Sequence, residues 1–158
     1  MAVITSTGYC AAILGPTSFD ALFQDGVIEV YSGMQPASAD VAPTGTLLAR
    51  ITRDGAAWTA GASAGGLRFI RDGRYVAKDA AQEWKLTGLA MGVAGWFRLL
   101  PNAADPGVAS LTAPRIDGAV GVIGEPVDAQ IYLPDTAITP ETVITLNYWW
   151  YAMPPIGD

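Results

Sequence analysis

What most limits the fold of this chain is how its apolar residues are broken up. They fall in short β-branched and aromatic runs, each cut off by Gly, Pro or Asp. Residues 27–32 (VIEVYS) lie between Gly26 and Gly33, and residues 46–52 (TLLARIT), 83–87, 93–100 (VAGWFRLL) and 129–133 follow the same plan. Residues 142–152 (TVITLNYWWYA) alternate two sets of side chains. Bounded runs of this kind are strand signals. Only one stretch has helical spacing: Phe19, Leu22 and Phe23 stand at i, i+3 and i+4 behind Thr17 or Ser18 as N-cap, with Gly26 as stop. The expectation is an all-β fold of some eight or nine strands, an antiparallel β-sandwich (jelly-roll or Ig-like) with one short N-terminal helix over residues 18–24.

Two Asp-Gly pairs organise the strands in this reading. Asp72-Gly73 suits a type I′ turn inside residues 67–78, and Asp117-Gly118 suits a second turn between residues 111–116 and 119–123. Residues 34–44 (MQPASADVAPT) form a long loop, stiffened by Pro36 and Pro43, in which Asp40 can accept backbone N–H groups. Residues 55–66 are mostly small and form a loop or weak strand around Trp58. Residues 1–16 carry no charge, with Val3, Ile4, Tyr9, Ile13 and Leu14 among Gly, Ser and Thr. They make either an arm that orders against a neighbouring subunit or an edge strand of the domain, which otherwise spans 17–158. The expected core holds Phe23, Ile28, Val30, Leu48, Ile51, Phe69, Trp96 or Phe97, Leu99, Ile131, Ile144, Leu146 and Tyr148.

Composition removes whole classes of chemistry. The chain has no histidine, so His-based triads and His metal ligands are absent. Cys10 is the single cysteine, which leaves no internal disulfide and no Cys-built zinc site. Nine Lys and Arg against fifteen Asp and Glu argue against direct nucleic-acid binding. No uninterrupted apolar stretch reaches membrane-spanning length, and the N-terminus lacks a basic region before its apolar patch, so the chain reads as made in the cytoplasm. At 158 residues it is long enough for a core without staples. Its charged fraction of 15% is low for a domain, which suits a surface buried against other subunits.

Motifs for catalysis are weak. A glycosidase needs two facing carboxylates, but most acids here stand beside Gly or Pro, where Asp serves turns. Residues 61–66 (GASAGG) lack the Lys-Ser/Thr ending of a phosphate loop, and no run resembles a calcium loop. No catalytic, cofactor or metal residues are expected. The aromatic run from Tyr148 to Tyr151 places rings on both faces of a strand. Its Trp149 and Tyr151 side is either covered within the chain or an interface. Arg68, Arg71, Arg74 and Lys78 gather four of the nine positive charges on one hairpin, as a solvated edge or a patch for an acidic neighbour. The candidate interface set is Tyr9, Ile13, Gln35, Pro36, Arg71, Arg74, Trp149 and Tyr151.

Three stretches together carry a resemblance. Within residues 22–52 stand Tyr31-Ser32-Gly33, Gln35-Pro36, Ala39-Asp40 and Thr44-Gly45-Thr46-Leu47-Leu48. Residues 95–99 (GWFRL) lead to Asp117-Gly118 and Val120-Gly121, and residues 138–154 close with a Val/Thr/Ile strand. This resembles a group of small structural proteins of tailed bacteriophages and prophages, over most of the chain, with the first block the specific one. The segment around Trp84 and the order Val143-Ile144-Thr145 depart from the pattern, and residues 1–16 lie outside it. The resemblance implies a non-enzymatic virion component. It would be a capsid decoration, neck-collar or tail/baseplate protein, binding the major capsid protein or neck and tail subunits and its own copies as a homo-oligomer. A different class of reading is a carbohydrate-binding sandwich that stacks sugars on Trp58, Trp84 or Trp149.

Overall fold

The computed structural model describes residues 3–152. Within them the chain forms β1 (Ile4–Thr5), α1 (Thr7–Leu14), α2 (Phe19–Phe23), β2 (Val27–Ser32), β3 (Leu47–Arg53), β4 (Phe69–Asp72), β5 (Tyr75–Lys78), β6 (Trp84–Gly88), β7 (Gly92–Leu100), β8 (Ile116–Val122), β9 (Ile131–Leu133), β10 (Ala137–Ile138), β11 (Val143–Leu146) and β12 (Trp150–Ala152). Two layers result. The larger is a nine-stranded sheet in the order β1-β8-β7-β2-β3-β6-β11, with β9 added on β8 and β10 on β7. All of its pairings are antiparallel except β8 with β9. The smaller sheet, β12-β5-β4, and the two helices cover one face of it. The expected all-β sandwich is what forms.

Strand alternation sorts the large sheet into an apolar and a polar face. Ile28 pairs with Leu99 and Ile51, and Val30 with Phe97 and Ala49, all buried toward the second layer. Between them Glu29 pairs with Arg98 and Arg50 on the opposite face. The second layer fills the gap with rings. Phe69 of β4 stands edge-on to Trp84 of β6 at 5.3 Å and to Trp149 at 5.4 Å, and Phe19 stacks on Tyr151 at 5.8 Å. Such pairs add about 0.5–1.5 kcal/mol each beyond area burial.

The short helix is where the spacing placed it, with Ser18 Oγ accepting from Ala21 N as N-cap. Its stop differs. Asp25 takes the left-handed conformation at φ 59°, while Gly26 is required for a different reason: a Cβ there would lie 2.3 Å from Leu100 O.

Both expected Asp-Gly turns are corrected. In the β4–β5 hairpin Asp72 is paired with Tyr75, so the turn residues are Gly73 and Arg74. Only Gly73 has positive φ, at 59°, the pattern of a type II′ turn. Asp117 and Gly118 make no turn at all. They lie inside β8, opposite Arg98 and Phe97. A side chain at Gly118 would strike the Phe97 ring, and Asp117 is held by a salt bridge that spacing cannot reveal. The pair with two consecutive positive φ values is instead Asp54-Gly55, at 58° and 71°, closed by Ala56 N donating to Arg53 O.

Residues 3–16 do not form a loose arm. Ile4 and Thr5 pair with Asp117 and Ile116, and α1 follows at once. Ser6 is fully buried. Its Oγ accepts from Tyr9 N and Arg115 N and donates to Ala113 O at 2.8 Å. Tyr9 joins the aromatic core beside Phe19, Phe23 and Tyr151. The helix is invisible to periodicity because its small and apolar residues occupy every side; tertiary bonds order it. Met1 and Ala2 of the proposed arm, and Met153 and Pro154 of the closing motif, lie outside the described residues.

The face assignment near the C-terminus also reverses. Leu146 is buried and Ile144 partly so, but Tyr148 is 81% exposed, while Trp149 and Tyr151 are buried. The chain leaves the large sheet after Leu146 and enters the small one at Trp150. Asn147 and Tyr148 both face outward at that crossover, so the alternation shifts by one residue.

Candidate functional site

The polar face of the large sheet carries a row of four charges of alternating sign. Arg50 on β3, Glu29 on β2, Arg98 on β7 and Asp117 on β8 are cross-strand neighbours in one register line. Arg50 donates to Glu29 Oε1 from Nε at 3.1 Å and Nη2 at 3.0 Å. Arg98 grips Asp117 with two bonds of 2.7 Å, both side chains being essentially inaccessible to water. Burial pushes the Asp117 carboxyl up from its ordinary pKa, and the Arg98 contact pulls the other way. Tyr31 donates to Glu29 Oε2 at 2.6 Å, and burial together with this bond pushes the Tyr31 hydroxyl well above its usual range.

This row anchors the loop over it. Arg98 Nη1 donates to Val41 O, and Arg115 Nη1 donates to Ala39 O and Val41 O. Arg115 also pairs with Asp105 at 2.7 and 2.9 Å and donates to Val108 O. Two buried guanidinium groups thus hold residues 39–41 and 105–108 together. Asp40 then reaches outward. Its two carboxylate oxygens accept from Thr7 N and Thr7 Oγ1, both at 2.7 Å, at the first turn of α1. A carboxylate there complements the helix dipole. Gln35 and Pro36, earlier in the same loop, are buried rather than displayed on the surface.

A cavity of about 250 Å3 remains beside the row, lined by Glu29, Arg50, Trp58, Arg98 and Asp105 among others. The carboxylates in it are held by arginine, and Glu29 by tyrosine as well, so the arrangement works as a clamp. Among the described residues no group of three or more His, Cys, Asp or Glu side chains comes together to hold a metal, and no helix is long and apolar enough to cross a membrane.

Two other surfaces stand out. Tyr132 and Tyr148 divide two adjoining clefts of about 430 and 450 Å3, and Trp150, 58% exposed, lines the second. The Tyr132 hydroxyl donates to Val127 O and accepts from Ala129 N, which fixes its ring. Trp150 also meets Tyr75 edge-on at 5.8 Å. The third surface is a groove between α1 and the β4–β5 turn, lined by Tyr9, Ile13, Phe19, Arg71, Arg74 and Tyr75 among others.

That groove brings together four of the eight expected interface residues: Tyr9, Ile13, Arg71 and Arg74. Trp149 and Tyr151 are not surface residues, since both pack in the aromatic core. Trp84, also fully buried, donates its N–H to Gln82 Oε1, and Trp58 is half-buried with its N–H on Asp25 O, so neither of the fully buried rings Trp84 and Trp149 is open to a sugar. The charge row was missed by the sequence reading. Its signal was present: Glu29, Arg50 and Arg98 each stand as a lone charge inside an apolar run. Comparison of the chain with protein-family models, with curated proteins and with solved structures returns no match.

Proposed function

We propose that this chain is a non-enzymatic structural component of a tailed-phage virion, a capsid decoration or neck-collar subunit that binds other virion subunits and its own copies. It would be made in the bacterial cytoplasm and reside in the particle. One observation supports this reading above the others: residues of the phage-like motif, together with Arg115, fix one loop in place. Arg98, itself held by Asp117, and Arg115 grip the carbonyls of residues 39–41 against the sheet, and Asp40 ties that loop to α1. A rigid body with shaped, charged loops suits a subunit that must meet neighbours in a fixed geometry. Exposed Met34, Leu89, Met91 and Val93, from segments that meet at one end of the large sheet, add apolar surface of the kind interfaces cover.

Mass spectrometry of density-purified particles from cells that make the chain tests the proposal. Stoichiometric recovery with the capsid or tail proteins is the expected result. Absence from intact particles, with the protein free in the lysate, overturns it.

A second reading is favoured by a specific feature, the exposed rings of Tyr132, Tyr148 and Trp150 around two adjoining clefts. Such rings offer apolar faces to sugar C–H groups, with Asn147 and Gln130 nearby as amide partners. Glycan-array binding that is lost in Trp150→Ala would support it, and no binding to any glycan would exclude it.

A further inference from the structure

The groove between α1 and the β4–β5 turn has a volume of about 260 Å3 and a one-sided chemistry. Its floor is Tyr9, Phe19 and Val76, with Ile13 on the helix side and Tyr75 beside the turn. Arg71 and Arg74 form its charged wall, both exposed, and no Asp or Glu side chain lines it; Asp72, between them in sequence, is not part of the wall. Arg71 makes no ion pair among the described residues. Leu14, at the end of α1 next to Ile13, is 89% exposed. A cationic, apolar slot on a chain of net charge −6 is unusual for that chain and complementary to the rest of it.

The chain also displays a segment of complementary charge and apolar character. Residues 123–128 (IGEPVD) form an unbroken exposed run, matched in length among the described residues only by 70–75 at the groove's own turn, and they lie between β8 and β9. This segment holds two acids, Glu125 and Asp128, and two exposed apolar side chains, Ile123 at 62% and Val127 at 42%, with no base. Pro126 restricts its backbone, and the bond from Tyr132 to Val127 O pins one end of it, so little order has to be imposed on contact.

We infer that the groove receives the 123–128 loop of a second copy of the chain, with Ile123 and Val127 toward its apolar floor and Glu125 and Asp128 toward Arg71 and Arg74. The inference rests on the reading of the chain as an assembly subunit and names the surfaces by which copies meet. Groove and loop are different patches, so the contact is head-to-tail unless two copies exchange loops reciprocally, and a head-to-tail contact closes into a ring when its rotation allows.

Charge reversal at each patch tests it with the whole chain, by sedimentation velocity over a concentration and salt series. The wild-type protein is expected to self-associate, less so at high salt. R71E/R74E and E125K/D128K should each weaken association by roughly tenfold or more, since like charges then face each other. Mixing the two variants should restore it, because each supplies the charge the other now needs. Unchanged thermal melting shows that both variants fold, all four positions being exposed. A monomeric wild-type protein, association indifferent to both reversals, or no rescue on mixing overturns the inference. Binding lost only in R71E/R74E, and toward another virion protein, assigns the groove to that partner instead. A chain found in particles yet monomeric in solution would leave the virion reading standing and this one refuted.

Discussion

Arg98 on β7 and Asp117 on β8 face each other across adjacent strands and share two hydrogen bonds of 2.7 Å, with both side chains cut off from water. Nineteen positions apart in the chain, they form the inner end of the alternating charge row, and Arg98 Nη1 continues from it to the Val41 carbonyl. The pair joins the sheet to the loop above it.

Removing one partner should be costly. Asp117→Asn keeps the shape but leaves a buried guanidinium without its counter-charge, and should lower stability by about 3–5 kcal/mol in urea denaturation. Replacing both partners by apolar residues of similar volume should cost much less. A small effect of Asp117→Asn would mean that the pair is hydrated in solution.

The C-terminal phase shift makes a paired prediction. Trp149→Ala should cost about 3–5 kcal/mol, because the indole packs against Phe69 and Trp84. Tyr148→Ala, one residue away but outward, should stay within about 0.5 kcal/mol. Chemical denaturation of the two variants distinguishes this arrangement from the opposite phase.

Ser6 makes three hydrogen bonds from one buried hydroxyl. Ser6→Ala removes a helix cap and leaves Arg115 N without its acceptor, for a loss of roughly 1–3 kcal/mol. Deleting residues 1–14 should unfold the domain rather than trim a tail, since Tyr9 leaves the core with them. Circular dichroism and melting of the deletion check this. A truncated chain with an unchanged melting temperature would make α1 dispensable for the fold.

Tyr9 and Tyr31 predict an alkaline limit. Burial, helped by hydrogen bonds to Tyr151 and Glu29 respectively, raises both phenols above their ordinary value of 10.0. A group raised on folding contributes stability that is complete below its unfolded pKa. Above about pH 10 the unfolded chain loses these protons while the folded chain keeps them, so stability should fall as pH rises further. Denaturation midpoints from pH 8 to 11 should show this decline, shallower in Tyr31→Phe.

Local chemistry sufficed for the elements whose signals are self-contained. Residues 27–32 and 46–52 are bounded β-branched runs whose alternate positions are apolar, and they became β2 and β3. Phe19, Leu22 and Phe23 share a face only in a helix, and α2 formed there under its Ser18 cap. The β-sandwich follows from such runs, because strands with one apolar face need a second layer to cover it. Tertiary structure decided the rest. Thr7–Leu14 is helical because Asp40, from a distant loop, accepts from Thr7 N, and its N-cap Ser6 is itself fixed by bonds to Ala113 and Arg115. Asp117-Gly118 has the local preference of a turn, yet a guanidinium from β7 and the Phe97 ring outweigh it. Tyr148 and Trp149 exchanged places because the chain changes sheets between Leu146 and Trp150, and a period of two carries phase only within one strand. Alternation and capping act over a few neighbouring residues, so the sequence alone expresses them. Salt bridges, ring packing and sheet crossovers join residues far apart in the chain, and only the assembled fold determines which of them meet.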